Sequence, residues 1–185
     1  MSAIEKTSFN MKSLEPKPSE FTTEVLARFA REVAKYPNDQ KQSAVMACLS
    51  IVQQVNGFIS PGDELFLSGY LDMSPMAVHE VSTFYNMYNL EPTGTYKINV
   101  CTNLPCQLRG GQNALDYLCK KLNIQVGETT KDGLFTLQPG ECMGACADAP
   151  VLLVNDRNMC SFMSTEKMDQ LIDGLKETAA NGSQS

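Results

Sequence analysis

Apolar residues recur at helical spacing in four consecutive stretches of the first half of the chain. The clearest stretch is the second, which ends in Asn56-Gly57, a common helix C-terminus. Its apolar positions are Ala44, Val45, Cys48, Leu49, Val52 and Val55. Ser60-Pro61 and Ser74-Pro75 each combine a capping residue with a proline suited to the first helical turn. The pattern therefore predicts four helices, and it stops at Glu91-Pro92.

The second half of the chain begins with the alternation that is typical of a strand. Ile98 and Val100 alternate with Lys97 and Asn99. A helical stripe follows Gly110-Gly111, and three short strands and a last helix come after it. The three strands are expected at 134–137, 151–154 and 159–162. The order β, α, β, β, β, α favours a small sheet flanked by helices, and a thioredoxin-like α/β domain fits it.

These patterns predict an α+β fold in which an N-terminal four-helix segment is followed by a thioredoxin-like α/β domain. The expected divisions are a polar arm over 1–20, a helical domain over 21–91, the thioredoxin-like domain over 92–178 and a tail over 179–185. With 185 residues, 43% of them hydrophobic, the chain is long enough to bury a core without disulfides.

Charge and motif content exclude several classes of function. A net charge of −6 argues against nucleic acid or an anionic lipid surface as the main partner. No apolar run reaches the roughly 20 residues of a membrane helix and no signal peptide begins the chain, so a cytoplasmic location without membrane insertion is expected. Nucleotide-binding and nucleophile-elbow motifs are missing from the sequence, so any hydride chemistry belongs to another polypeptide.

Four of the seven cysteines form two pairs, each on an expected loop. Cys101 and Cys106 are spaced Cys-x4-Cys, and Cys142 and Cys146 are spaced Cys-x3-Cys. In a reducing cytosol paired thiols favour metal ligation over disulfides. The spacings are loose for zinc knuckles and suit an iron-sulfur core, in which four thiolates complete two tetrahedral irons. The natural assignment gives each pair one iron, and a crossed pattern stays open.

Three other interpretations of these thiols remain open at this point. Structural zinc would use the same four sulfurs, and an assay for iron and acid-labile sulfide separates the two metals. Two disulfides are disfavoured by the compartment, and a thiol oxidoreductase is disfavoured because no Cys-x2-Cys occurs. Gly140 and Gly144 are expected to let the backbone approach a cluster.

The remaining chemically notable residues are expected to be structural. Cys48 and Cys119 lie on apolar helical faces and Cys160 lies in an expected strand; all three are predicted to be small buried hydrophobes. His79, the only histidine, is predicted to be a surface or packing residue. A group of methionines and aromatic residues is predicted to form core or a subunit interface; it comprises Met73, Met76, Met87, Phe84, Tyr85 and Tyr88.

The segments around the paired cysteines resemble a known family. They read Val100-Cys101-Thr102-Asn103-Leu104-Pro105-Cys106, then Gly110-Gly111, Glu141-Cys142-Met143-Gly144-Ala145-Cys146 and Ala149-Pro150. They resemble the thioredoxin-like [2Fe-2S] ferredoxin of respiratory complex I, which is the E-type subunit family of bacterial NADH-quinone oxidoreductase and corresponds to mitochondrial flavoprotein 2. Gly57-Phe58-Ile59 and Val81-Ser82-Thr83-Phe84-Tyr85 extend the likeness to nearly everything between residues 21 and 175.

The resemblance implies one [2Fe-2S] cluster on Cys101, Cys106, Cys142 and Cys146. It implies a subunit of NADH:quinone oxidoreductase that exchanges single electrons with FMN. The FMN and the NADH site are expected on an F-type partner subunit, beside a G-type iron-sulfur subunit. The expected location is peripheral, on the cytoplasmic side of the bacterial inner membrane.

Other host proteins and a different class of function stay open. Similar subunits serve the diaphorase modules of NAD-linked hydrogenases and formate dehydrogenases, and some thioredoxin-like ferredoxins work alone. The helical half weighs against a stand-alone carrier, which would not need so much additional helical surface. A purely structural adaptor, whose cluster only holds loops together, is the contrasting class.

Overall fold

The computed structural model describes residues 17–182, and the chain divides between Pro92 and Thr93 into two compact units. Helices make up the first unit and a sheet with helices the second, so the predicted α+β class is confirmed. Most of the predicted arm and the end of the predicted tail lie outside the described residues. Within residues 17–182, no helix is both long enough and apolar enough to span a membrane.

The first unit contains four α-helices, which we number α1 to α4. They are α1 (Thr23–Val33), α2 (Val45–Asn56), α3 (Pro61–Leu71) and α4 (Pro75–Phe84), and a short 3-10 turn, Lys41–Ala44, precedes α2. The Ser60 and Ser74 hydroxyls accept hydrogen bonds from backbone N–H groups in the first turns of α3 and α4. The expected caps therefore set where these two helices begin.

Inward-facing apolar side chains form the core of this unit, among them Phe29, Leu49, Ile59, Leu67, Leu71 and Val78. A buried hydrogen bond joins α3 to α4: the Glu64 carboxylate on α3 accepts from the Ser82 hydroxyl on α4. The same carboxylate lies 2.9 Å from Nδ1 of the half-exposed His79. The only histidine therefore helps to hold α4 against α3, as expected of a packing residue.

The second unit is built on a four-stranded mixed sheet. Its strands are β1 (Tyr96–Cys101), β2 (Phe135–Gly140), β3 (Leu152–Val154) and β4 (Asn158–Cys160), in the order β2-β1-β3-β4. β1 pairs with β2 in parallel and with β3 antiparallel, and β4 extends the sheet antiparallel to β3. β1 is therefore a central strand with partners on both sides.

Three helices complete this unit: α5 (Leu104–Leu108), α6 (Gly111–Leu122) and α7 (Thr165–Gly182). The apolar core between helices and sheet includes Ile98, Val100, Leu118, Leu137, Met168 and Ile172. α7 runs to Gly182, which is past the predicted start of the tail at residue 179. Ala179 and Ala180 explain the extension, because alanine has the highest helix propensity.

The parallel register of β1 and β2 brings the two cysteine segments together. Cys101 and Gly140, the last residues of the two strands, lie opposite each other. The Thr102 N–H then donates to the Gly140 carbonyl at 3.1 Å. Because the carboxyl ends of parallel strands meet at one edge of a sheet, both segments leave the sheet side by side.

Candidate metal centre

The first cysteine pair lies in regular structure and is buried. Cys101 is the last residue of β1 and is 2% exposed, and its N–H donates to the Val151 carbonyl at 3.1 Å. Cys106 lies inside α5 and is 1% exposed. The expectation of a loop around Cys106 was therefore wrong. Pro105 falls in the first turn of α5, where a proline favours helical backbone, but five residues are too few to show a periodic pattern.

The second pair lies closer to solvent, in the segment that follows β2. Cys142 is exposed and Cys146 is partly buried at the start of a 3-10 turn, Cys146–Asp148. Their sulfur atoms are 3.9 Å apart. Two thiolates on one tetrahedral metal with bonds of about 2.3 Å are separated by about 3.8 Å. This pair therefore has the spacing needed to bind one metal ion.

Electrostatic interactions connect the two pairs. Burial raises the pKa of the Cys106 thiol, and a hydrogen bond with Cys101 and repulsion from Cys101 and Cys146 raise it further. A hydrogen bond with Cys142 raises the pKa of Cys146, and burial and the charges of Cys142 and Cys101 add to that effect. The pKa of each of these two thiols is therefore raised in part by a cysteine of the other segment, Cys146 acting on Cys106 and Cys101 on Cys146, so the two segments lie close together.

The donor set fits a two-iron cluster. Over residues 17–182, no three His, Cys, Asp or Glu side chains are grouped so that they could hold one metal ion. A [2Fe-2S] cluster has four cysteine ligands for its two irons, so each iron needs two cysteines and not a group of three. A cluster bound through four thiolates would release the protons of Cys106 and Cys146, whose pKa values are raised.

A small apolar cluster surrounds the buried side of the site. Cys101 and Cys106 pack with Ala149 and Val151, and Met143 and Ala145 cover them in part. Apolar surroundings exclude water and strengthen electrostatic interactions with the thiolates. The sequence patterns did not predict that Met143 packs against this cluster. Its position directly after Cys142 was the only indication that it would lie near the site.

Gly140 and Gly144 have different roles at the site. A Cβ atom at Gly140 would lie 2.6 Å from Cε of Met143, so this glycine makes room for the Met143 side chain. Gly144 has φ +75°, a left-handed backbone conformation that glycine adopts without strain. Both glycines therefore shape the segment that carries Cys142, one by its size and the other by its backbone.

The three other cysteines lie apart from this cluster. Cys48 is fully buried among the helices of the first unit, as expected. Cys119 and Cys160 are only partly buried and pack against the core of the sheet unit. The prediction of a small buried residue is therefore confirmed for Cys48, whereas Cys119 and Cys160 are less buried than predicted.

The methionine and aromatic group predicted to form core or an interface divides into two parts. Tyr88 is buried and Met73 packs against the core of the helical unit. Phe84 and Met76 are 79% and 64% exposed, and Tyr85 and Met87 are also exposed. The Phe84 and Tyr85 rings contact each other edge to face with centroids 5.0 Å apart. We call Phe84, Tyr85 and Met87 the Phe84 patch.

Comparison with known proteins identifies the class of this fold and site. The model of the thioredoxin-like [2Fe-2S] ferredoxin family matches residues 29–176, and the chain belongs to that family. A solved structure of the NAD⁺-reducing [NiFe]-hydrogenase in its H₂-reduced state has the same fold, with a TM-score of 0.62 and 22% identity. That likeness covers 72% of this chain and 22% of the hydrogenase chain.

Two relatives with higher sequence identity are both subunits of NADH-quinone oxidoreductase. The E-type subunit of NADH-quinone oxidoreductase from Rickettsia prowazekii is 42% identical over 142 residues, which are 76% of this chain and 80% of the relative. NADH-quinone oxidoreductase subunit 2 of Thermus thermophilus is 38% identical over 143 residues, which are 77% of this chain and 79% of the relative. The predicted resemblance is confirmed by these relatives.

Proposed function

We propose that this chain is the [2Fe-2S] electron-transfer subunit of the NADH-oxidising module of an NADH-quinone oxidoreductase. Its cluster exchanges single electrons with FMN on a partner subunit. The observation that carries the proposal is the meeting of Cys101, Cys106, Cys142 and Cys146 at one edge of the sheet. Family membership and relatives named as subunits of this oxidoreductase support it.

Cys101 and Cys106 would hold one iron and Cys142 and Cys146 the other. When bound, the cluster supplies one-electron transfer, which the amino acids of the chain do not provide. The residues of the chain bind it, exclude water on the buried side through Ala149 and Val151, and leave Cys142 near solvent. An exposed ligand places one side of the site within reach of a partner.

Specific partners follow from the same proposal. An F-type subunit would carry FMN and the NADH site, a G-type subunit would lie beside it, and the assembly would sit on the cytoplasmic side of the membrane. Exposed apolar side chains near the site support docking, because Leu104 and Leu108 of α5 are 63% and 79% exposed. Phe162 is 51% exposed and lines a pocket of about 320 Å³ with Arg109. Such a surface is typical of an interaction site.

The helical unit has a separate part in this proposal. Its four-helix arrangement would provide additional docking surface through the Phe84 patch, which a stand-alone carrier does not need. An adaptor whose cluster only holds loops together would keep full turnover with a redox-silent metal in the site.

The experiment is anaerobic co-purification of the chain with its partners, followed by iron and acid-labile sulfide analysis and electron paramagnetic resonance after addition of NADH. Two irons and two sulfides per chain and a signal from a reduced [2Fe-2S] cluster are expected. Cys146→Ala should remove that signal, whereas the matched control Cys119→Ala should retain it. Zinc without sulfide would overturn the proposal. Co-purification with a hydrogenase or a formate dehydrogenase would instead assign the chain to that enzyme.

A further inference from the structure

Gly111, the first residue of α6, lies against the backbone of both cysteines of the first pair. A Cβ atom built at Gly111 would lie 2.7 Å from the Cys101 carbonyl oxygen and 2.9 Å from the Cys106 carbonyl oxygen. It would also lie 3.0 Å from the Cys106 carbonyl carbon. Cβ atoms in proteins essentially never approach other atoms more closely than 3.0 Å, so an alanine here must displace backbone.

The two cysteine backbones are held by other interactions and cannot easily move away. Cys101 ends a strand with partners on both sides, and its N–H donates to the Val151 carbonyl. The Cys106 carbonyl accepts a hydrogen bond from the Arg109 N–H at 3.1 Å. Neither neighbour is the end of a flexible side chain. A larger residue at position 111 would therefore press on both cysteine backbones at once and strain the geometry that sets their separation.

The turn before α6 does not explain why position 111 is glycine. Gly110 makes that turn with φ +93°, and a Cβ at Gly110 would meet nothing within 4 Å. Gly111 has no left-handed φ and is helical. Glycine in a helix costs roughly 1 kcal/mol relative to alanine. Close approach to the two cysteines is therefore the feature that requires glycine at position 111.

We propose that Gly111 is a positioning residue that sets the separation of Cys101 and Cys106 so that their two thiolates bind one iron. This inference rests on the proposed function, because it needs a cluster on these cysteines. Gly111 acts through the two cysteine backbones, which it contacts directly. It allows α6 to pack against the end of β1 and against α5 at the same time.

The test is Gly111→Ala in the full chain, purified anaerobically with its partners. Two glycines of the same unit provide matched controls. A Cβ at Gly94 would lie 3.0 Å from backbone atoms of Gly133 and Leu134, so Gly94→Ala introduces a comparable backbone clash away from the four cysteines. Gly174 lies in α7 with nothing within 4 Å, so Gly174→Ala introduces no clash. The measurements are iron content, the paramagnetic resonance g values of the reduced cluster, its reduction potential and the unfolding temperature.

We expect Gly111→Ala to lose iron or to shift both the g values and the reduction potential. Gly94→Ala should lower the unfolding temperature and keep the wild-type spectrum and potential, and Gly174→Ala should keep all of them. A Gly111→Ala chain with wild-type iron, spectrum and potential would overturn the inference. So would a Gly111→Ala chain that fails to fold while Gly94→Ala folds, because glycine would then be a requirement of the fold. Wild-type protein without iron and sulfide would instead be a failure of the proposed function.

Discussion

Lys97 Nζ lies 2.5 Å from Asp156 Oδ2, in an ion pair that joins β1 to the turn between β3 and β4. The Lys97 side chain is 3% exposed and the Asp156 side chain 26%. Asp156 also accepts a hydrogen bond from the Asn99 side chain at 2.7 Å, and Asn155 Oδ1 accepts one from the Lys97 N–H. The turn is therefore fixed to the strand that ends in Cys101.

Asp156→Asn should lower the free energy of unfolding by about 3 kcal/mol, because it removes the carboxylate that compensates a buried ammonium group. Asparagine tolerates the left-handed φ of +56° at this position, so the turn itself should persist. Lys97→Met should cost less, because the Asp156 carboxylate that stays behind reaches solvent. Urea denaturation of the two variants, followed by circular dichroism, measures the difference, and an equal or reversed order would contradict this account.

Sequence patterns predicted the helices of the first unit well because the signals for these helices lie in neighbouring residues. Ser60 and Ser74 lie beside the residues they cap, and the apolar spacing of α2 falls within twelve residues. The same patterns could not predict the environment of Lys97 and Asn99. Their alternation with Ile98 and Val100 indicates a polar face of a strand, but both are buried. Asp156 is their partner, and no local pattern relates residues so far apart.

At the site, spacing identified the four cysteines but not the elements that hold them. Cys106 was expected in a loop because α5 is too short to show a period. The role inferred for Gly111 was also beyond sequence reasoning, because its neighbours Cys101 and Cys106 are brought to it only by the packing of β1, α5 and α6. Contacts between elements therefore account for most of what the sequence left open.

Alkaline pH should destabilise the helical unit through Cys48. Burial, and next the charge of Glu32, raise the pKa of the Cys48 thiol from 9.0 to about 12. The folded state therefore keeps this thiol neutral, while the unfolded state ionises it above pH 9. The stability that Cys48 contributes is complete below pH 9 and is lost as the pH rises towards 12, by up to about 4 kcal/mol.

The measurement is the free energy of unfolding of the wild type and of Cys48→Ala between pH 7 and pH 11. Cys48→Ala should be less stable at pH 7, because it leaves a small cavity, and its stability should fall less steeply above pH 9. If the free energies of unfolding of the two proteins fall in parallel above pH 9, Cys48 does not contribute to the loss of stability at alkaline pH.

Phe84→Glu should weaken assembly with the proposed partner subunits without destabilising the chain. Phe84 is 79% exposed, so its replacement removes little burial within the helical unit, whereas a carboxylate in an apolar interface is costly. The dissociation constant for the partners should rise about tenfold if the interface loses about 1.4 kcal/mol, and recovery of the partners with the tagged chain should fall accordingly.

The control for this prediction is Val126→Glu, which places the same charge at a 44% exposed apolar position in the sheet unit. It should leave recovery of the partners unchanged, and thermal unfolding should confirm that both variants fold. Equal recovery of the partners with Phe84→Glu and with the wild type would exclude the Phe84 patch from the interface.

The two cysteine pairs differ in how firmly the chain holds them before any metal arrives. Cys101 lies on a strand with hydrogen-bonded neighbours on both sides, whereas Cys142 lies in an exposed segment outside the sheet. If these four cysteines bind the proposed cluster, folding pre-organises half of its ligands, and the entropy lost on binding would come mainly from the segment that carries Cys142. Assembly of the proposed cluster would then depend mainly on residues 141–146, because folding already places Cys101 and Cys106.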